Sequence, residues 1–559
     1  MTKTLLVGLD AACWEYLNPL LEAGRLPTLK GLMEAGTWGT LHSTMPAWTP
    51  TAWASIVTGK NPGKHGIFDM LWRPPGSYQF FPTSARLRRG SPFWRRLNEA
   101  GLRVGLVNIP FTHPPEPLDG FLVCGFGTPN SAAEVTYPPN LQAQIAERFG
   151  EYAPTVPAAF LRTAEPDDIL TVEREHQTRQ VQIALDFARS QGVDVLVINL
   201  MLTDHANHKM PDMERVQQAY CHADEDLQRL IDGFQPDNVM LISDHGSRRV
   251  KGDFLLYAWL RDRGYLVQME RTPAEQSDAL NWILAQWLQA HHGWSGLFEK
   301  AYRYVVKTAL PFMPSVITRR FWNNLETIIP FARPHIRFSE KLNYKATSIF
   351  PWSSYAGLLQ LNIAGREPQG VLRSEEQAEF LARLIAGMKE IVDPDTGHPL
   401  FPAIYTAREL YNGPALAYAP DLILDTYNSP WNILETHRRG AIVEQTYGRY
   451  FAQNRKDFGW HSRDGIFVFA GPSFTTGPAT VAGHVMDIPA TLLHLHGVPI
   501  PDDYDGQVLT ETLQADFVAH HPIRFQAGDG EEDLPVENLY SPEEEAELVA
   551  HLQALGYLE

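Results

Sequence analysis

Along the first 250 residues, short, nearly continuous apolar runs alternate with longer stretches in which apolar residues recur three and four positions apart. Thr4 to Leu9, Arg103 to Ile109, Val193 to Leu200 and Val239 to Ser243 are runs of the first kind, the pattern of parallel strands covered on both faces. Leu170 to Gln191 has the helical spacing. This alternation reads as successive βαβ units. It predicts an α/β fold with a mostly parallel central sheet and helices on both faces.

From about Arg261 the pattern changes to aromatic-rich, proline-interrupted, basic sequence with helical spacing, read as a helical insertion over residues 261–344. Strand signals return at Gly357 to Asn362, Asp421 to Asp425 and Gly465 to Phe469, with a helix between Ser374 and Ile391. The core begun in residues 1–260 is therefore expected to resume over 345–525. Residues 526–559 form an acidic tail in which Ser541-Pro542-Glu543-Glu544 starts a short helix: a hydroxyl cap, a first-turn proline and acids facing the helix dipole. Leu548, Leu552 and Leu555 are the residues expected to dock it.

Composition narrows the function. The chain's 559 residues exceed what one compact core holds. A formal net charge of −18 opposes duplex nucleic-acid binding, which needs a dominant basic face. Three cysteines, Cys13, Cys124 and Cys221, with no CxxC pair, fit a reducing compartment. The apolar run LLVGL stops at Asp10, so it reads as a first strand and not as a signal peptide. No run approaches the ~18 apolar residues of a membrane span. A soluble, cytoplasmic protein is expected.

The chemistry-bearing residues stand just past the apolar runs. Asp10 follows LLVGL, where a carboxylate either caps a helix or faces a cation. In WTPTAWASIVTG, Thr49 precedes a proline and a helical run from Thr51 to Val57, and a helix N-terminus favours an alkoxide and an incoming phosphate. Thr51 is a rival nucleophile. Asp204 and His208, four apart after VLVINL, fall on one face of a helical turn and can reach one metal, while His205 points elsewhere. Asp244 and His245 are adjacent after VMLIS and can share an ion where the chain turns at Gly246. His461 lies in a loop before another strand. Asp10, Thr49, Asp244 and His245 thus suit one ion, and Asp204, His208 and His461 a second. Mixed nitrogen and oxygen donors suit two divalent ions, zinc with manganese or iron as alternatives, more than calcium or magnesium. Two ions ~4 Å apart can stabilise both attacking and leaving oxygens of an in-line displacement.

These motifs, in this order, resemble the alkaline phosphatase superfamily, nearest to its type I phosphodiesterase/nucleotide pyrophosphatase branch. GLDAACWEYLNPLLEAGRLPTLKGLMEAG, TPTAWASIVTGKNPGKHGIF and DIPATLLHLHGVPIPDDYDGQVL are similar to bacterial proteins described as phosphohydrolases or phosphomutases. The resemblance covers residues 1 to about 250 and 345 to about 510. It implies the same two ligand sets and Thr49 as nucleophile, counted back from Ser55 to Gly59. The nucleotide pyrophosphatase pattern carries an asparagine three residues after the nucleophile. Here that position is Ala52, so substrate preference does not carry over. The segment from Thr49 to Trp53 lacks the cysteine and arginine of sulfatases. His484 is a competing last imidazole, and His65 a further candidate or a packed loop residue.

The expected activity is hydrolysis of a phosphodiester or phosphomonoester through a phosphothreonine. Alternatives are a phosphomutase on the same core and a non-catalytic metal-binding module. The expected partner is a small phosphorylated substrate, a nucleotide or a lipid head group. In the insertion, Arg303, Lys307, Arg319, Arg320, Arg333 and Arg337 have three readings: a solvated face, a clamp for a second anionic group, or a peripheral contact with anionic lipid.

Overall fold

A computed structural model describes residues 2–269, 342–352, 356–427, 429–434, 450–530 and 540–558, with backbone only for 453–458. The expected helical insertion and its basic residues Arg303, Lys307, Arg319, Arg320, Arg333 and Arg337 lie outside the described residues, except for the insertion's two ends.

The apolar runs of the first half become the middle of one large sheet. In order its strands are Gly477–Pro478, Gly36–His42, Asp464–Ala470, Asn238–Ile242, Thr4–Leu9, Val195–Leu200, Val104–Val107, Gly120–Val123 and Thr136–Tyr137, with Gly483–His484 also paired to Gly36–His42. The five strands from Asn238–Ile242 to Gly120–Val123 run parallel to one another. Asp464–Ala470 is antiparallel to both of its neighbours. Every residue of Thr4–Leu9, Val195–Leu200 and Asn238–Ile242 is buried, because helices cover both faces. The predicted helix spans Pro166–Gln191 and packs against the helix Met213–Phe234.

Two of the three later strand signals, at 357–362 and 421–425, form strands that do not pair with the large sheet. Strands Leu358–Leu361 and Leu422–Asp425 join Ile349–Pro351 and Ala403–Thr406 in a separate antiparallel sheet. Its apolar face packs with the helix Gln377–Lys389 in a cluster of its own, around Trp259, Leu359, Phe380 and Leu384. Alternating short strands serve either sheet equally well, and pairing partners are not written locally. Of the three signals, the one at 465–469 rejoins the large sheet. A third sheet sets Gly246–Leu255 between Trp431–Leu434 and Phe451–Ser462.

The acidic tail carries the helix Pro542–Leu555. The Ser541 hydroxyl accepts from Glu544 N at 3.2 Å, and the Glu544 carboxylate accepts from Ser541 N at 2.9 Å, a capping box. Leu548, Leu552 and Leu555 are buried, the latter two in the main core. Among the described residues no helix is long and apolar enough to cross a membrane.

Candidate active site

Three adjacent parallel strands bring the first ligand-type residues together at their carboxyl ends, where open α/β sheets build sites. Asp10 follows Thr4–Leu9, Asp244 and His245 follow Asn238–Ile242, and Val195–Leu200 runs into the helix Leu202–Lys209 that carries Asp204 and His208. Thr49 comes from the helix after Gly36–His42. The helix begins at Thr49 itself, two residues earlier than the expected Thr51, because Pro50 suits the first turn. His461 lies not in a loop but on Phe451–Ser462, opposite Ser247. That pairing carries it over the strand ends.

All seven expected site residues therefore converge. His245 Nε2 is 3.2 Å from the Thr49 hydroxyl, 3.7 Å from Asp10 Oδ1 and 3.5 Å from Asp244 Oδ2. His208 Nε2 is 2.9 Å from His461 Nε2 and 3.3 Å from Asp204 Oδ1, which is itself 3.6 Å from His461 Nε2. His245 stands between the two groups: donor atoms of Asp10, Asp244 and His245 lie within 4.8 Å of one another, as do those of Asp204, His245 and His461. The rings of His245 and His461 stack at 3.9 Å.

The other ring nitrogens fix these orientations. His461 Nδ1 is 3.0 Å from the Ala47 carbonyl and His245 Nδ1 is 3.1 Å from the Gly246 carbonyl. Each therefore donates from Nδ1 and turns the Nε2 lone pair into the cluster. Asp10 is held by Asn199, whose amide donates to Oδ2 at 2.8 Å. Ala11, at φ 59°, adopts the left-handed turn that aims its N–H at Asp244 Oδ1.

The carboxylates are wholly buried, and Asp10 Oδ1, Asp204 Oδ1 and Asp244 Oδ2 have no hydrogen-bond partner. Burial raises the Asp244 pKa to about 8, with Asp204 adding to it. Burial, then Asp244 and Asp204, raises Asp10 well above its usual range. For Asp204 burial acts upward too, but His208 and His461 outweigh it and hold the carboxyl low. Burial and the neighbouring His245 keep His461 far below the ordinary imidazole value. Buried carboxylate oxygens facing imidazole lone pairs fit divalent-cation binding.

The remaining candidates meet other partners or none. The Thr51 hydroxyl is buried without a hydrogen-bond partner. His205 turns to Glu173 at 3.1 Å. The ring nitrogens of His65 meet Ser55 and Ile67 N. His484 accepts from Met486 N. Three contributors were not foreseen: Asn199, Tyr557 and Arg248. Beside the cluster a cleft of about 540 Å³ is lined by Cys13, Trp14, Ser247, Arg248, Tyr427 and Ser462, among others. Arg248 donates from Nε to the His461 carbonyl at 3.0 Å and from Nη1 to the Ser429 carbonyl, while its buried Nη2 has no partner.

No curated protein matches the chain in sequence. Murine ectonucleotide pyrophosphatase/phosphodiesterase 5, solved as an inactive variant with AMP, is similar at a TM-score of 0.50 and 13% identity, over 92% of this chain and 100% of that one. Phosphonoacetate hydrolase from Sinorhizobium meliloti, solved with phosphonoformate, is similar at a TM-score of 0.50 and 14% identity, over 87% and 94% of the two chains. At these identities the likeness is one of fold. The family model for type I phosphodiesterase/nucleotide pyrophosphatase matches residues 4–309, more than half of the 559. The chain thus belongs to the type I phosphodiesterase/nucleotide pyrophosphatase family.

Proposed function

We propose that this protein is a two-metal phosphoric ester hydrolase in which Thr49 is the nucleophile. The observation that carries this reading is the set of three partnerless, fully buried oxygens on Asp10, Asp204 and Asp244, each gathered with imidazole Nε2 atoms. Asp10, Thr49, Asp244 and His245 would hold one divalent cation, and Asp204, His208 and His461 the other. When bound, such cations, zinc by the mixed donor set or manganese or iron in its place, supply Lewis-acid stabilisation of phosphoryl oxygens.

The chain's own residues supply the rest. Thr49 sits at the first turn of its helix, so backbone N–H groups and the positive end of the dipole face an arriving phosphoryl group. Its oxygen attacks phosphorus and the ester oxygen departs in line. Water then cleaves the phosphothreonine, releasing phosphate or a phosphomonoester and restoring the hydroxyl. The cleft, with Arg248 in its wall, receives the group attached to phosphorus. Solved relatives of this fold hold AMP or phosphonoformate, small anions of the class this cleft suits.

The test is metal analysis of the purified protein, followed by turnover of p-nitrophenyl phosphate, bis-p-nitrophenyl phosphate and a nucleotide panel. Two equivalents of metal and metal-dependent ester cleavage are expected. Metal-free protein inert to every ester, with or without added zinc or manganese, would refute the reading. Isomerised phosphosugar without free phosphate would replace it with a phosphomutase.

A further inference from the structure

We infer that Tyr557 is a positioning residue of the metal centre, and that the C-terminal helix exists in part to deliver it. The inference rests on the reading above, in which Asp204 is a ligand. Gly556 ends the helix Pro542–Leu555 at φ 97°, a left-handed conformation suited to glycine. Gly556 N and Tyr557 N both donate back to the Leu552 carbonyl, at 3.1 and 2.9 Å, which turns the chain inward. The Tyr557 side chain then enters the site. It is 1% exposed, and its ring lies 4.6 Å from that of His208 and 6.0 Å from that of His461.

The hydroxyl donates to Asp204 Oδ2. The other oxygen, Oδ1, is the one that faces His208 and His461 and has no hydrogen-bond partner. One carboxylate is therefore divided between two tasks. Oδ2 is committed to the phenol, and Oδ1 is presented to the cation as a single-oxygen ligand. Losing a partner that orients a ligand in this way typically costs about 10–100-fold in metal affinity.

The helix is fastened as this role requires. Lys209, next to His208, donates to the Ala554 carbonyl at 2.7 Å. Glu547 accepts from Asn130 N at 2.9 Å and Ser131 N at 3.1 Å. The Arg162 guanidinium donates to the Ala550 carbonyl at 2.8 Å. Helix Pro542–Leu555 is thus tied to the helix that carries Asp204 and His208. Packing alone would be served by any aromatic ring; the hydroxyl on Asp204 Oδ2 is what packing does not need.

The test compares zinc binding to wild type, Tyr557→Phe and Tyr557→Leu in the full chain, by competition with a chromophoric chelator, with circular dichroism confirming the fold. Both variants are expected to bind zinc at one of the two sites about 10–100-fold more weakly and at the other unchanged. In the cobalt-loaded protein the visible absorption of one site is expected to shift in both variants. Wild-type protein that binds two zinc ions, beside a phenylalanine variant that binds both as tightly with an unaltered cobalt spectrum, overturns the role of Tyr557 and leaves the metal reading standing. Wild-type protein that binds no metal overturns both.

Discussion

Gly8 and Asn199 are opposite each other on neighbouring parallel strands, and the side chain missing from the first makes room for the second. A Cβ at position 8 would stand 2.3 Å from Asn199 Oδ1 and 2.6 Å from the Trp53 ring. With that space open, Asn199 leans on Asp10 and donates to its Oδ2 at 2.8 Å, leaving Oδ1 to face His245 at 3.7 Å. Gly8→Ala is expected to cost about 1–3 kcal/mol by overpacking and to weaken metal binding through Asp10. Asn199→Ala is expected to weaken metal binding with a smaller loss of stability. Calorimetry beside metal titration checks both, and a Gly8→Ala protein with wild-type metal affinity would count against the coupling.

The parts legible in the sequence share one property: the chain states them locally. Asp10, Asp244 and His245 follow buried strands directly, and Asp204 and His208 share one helical face, so their placement needs only the sheet. Asn199 was hidden because a lone polar residue inside a strand as apolar as VLVINL does not say what it faces. Tyr557 was hidden because an aromatic after a helix reads as a docking residue, and its partner Asp204 is 353 positions away. The separate sheet of Leu358–Leu361 and Leu422–Asp425 escaped for the same reason: strand signals carry no address. The nearness of His245 to the second ligand group as well as to its own goes with its stacking on His461, a contact between distant segments.

Thr49→Ala is expected to lower turnover roughly a thousandfold or more while metal content stays near wild type, since three other residues remain around that ion. Thr49→Ser keeps a nucleophile and should retain activity. Mass spectrometry of acid-quenched enzyme should find phosphate on the Thr49 peptide. An active alanine variant would move the assignment to Thr51.

Arg248→Lys retains a positive charge in the cleft wall but removes the guanidinium fork that bonds the His461 and Ser429 carbonyls. KM for an anionic substrate should rise about tenfold, equivalent to ~1.4 kcal/mol, with kcat less affected. Steady-state kinetics separate the two. A fall in kcat alone, at constant KM, would place Arg248 in support of His461 and not in contact with substrate.

Chelation should destabilise the protein reversibly, because it leaves Asp10, Asp204 and Asp244 buried together with their free oxygens uncompensated. At a free zinc concentration 100 times the dissociation constant, each site adds about 2.7 kcal/mol. The thermal midpoint should fall on adding chelator and return with zinc. An unchanged midpoint would mean that no cation was stabilising the fold.

His65 gives a pH dependence separable from the metal centre. Its Nδ1 accepts from Ile67 N at 3.1 Å and its Nε2 is 2.9 Å from the Ser55 hydroxyl, a pairing that needs the neutral ring. Burial, with Arg88 and Lys60 nearby, lowers its pKa from 6.5 to about 3. The unfolded chain takes up a proton near pH 6.5 and the folded one resists until about pH 3, so the unfolded state binds more protons throughout that window. The contribution of His65 is therefore complete above pH 6.5 and declines as pH falls. Between pH 6.5 and 5 the decline is about 2 kcal/mol. In metal-free protein, His65→Gln should be less stable than wild type at pH 8, and the gap should narrow by about that amount at pH 5. Urea unfolding of both proteins at the two pH values measures it; a gap that stays constant would show that His65 titrates alike in the folded and unfolded states.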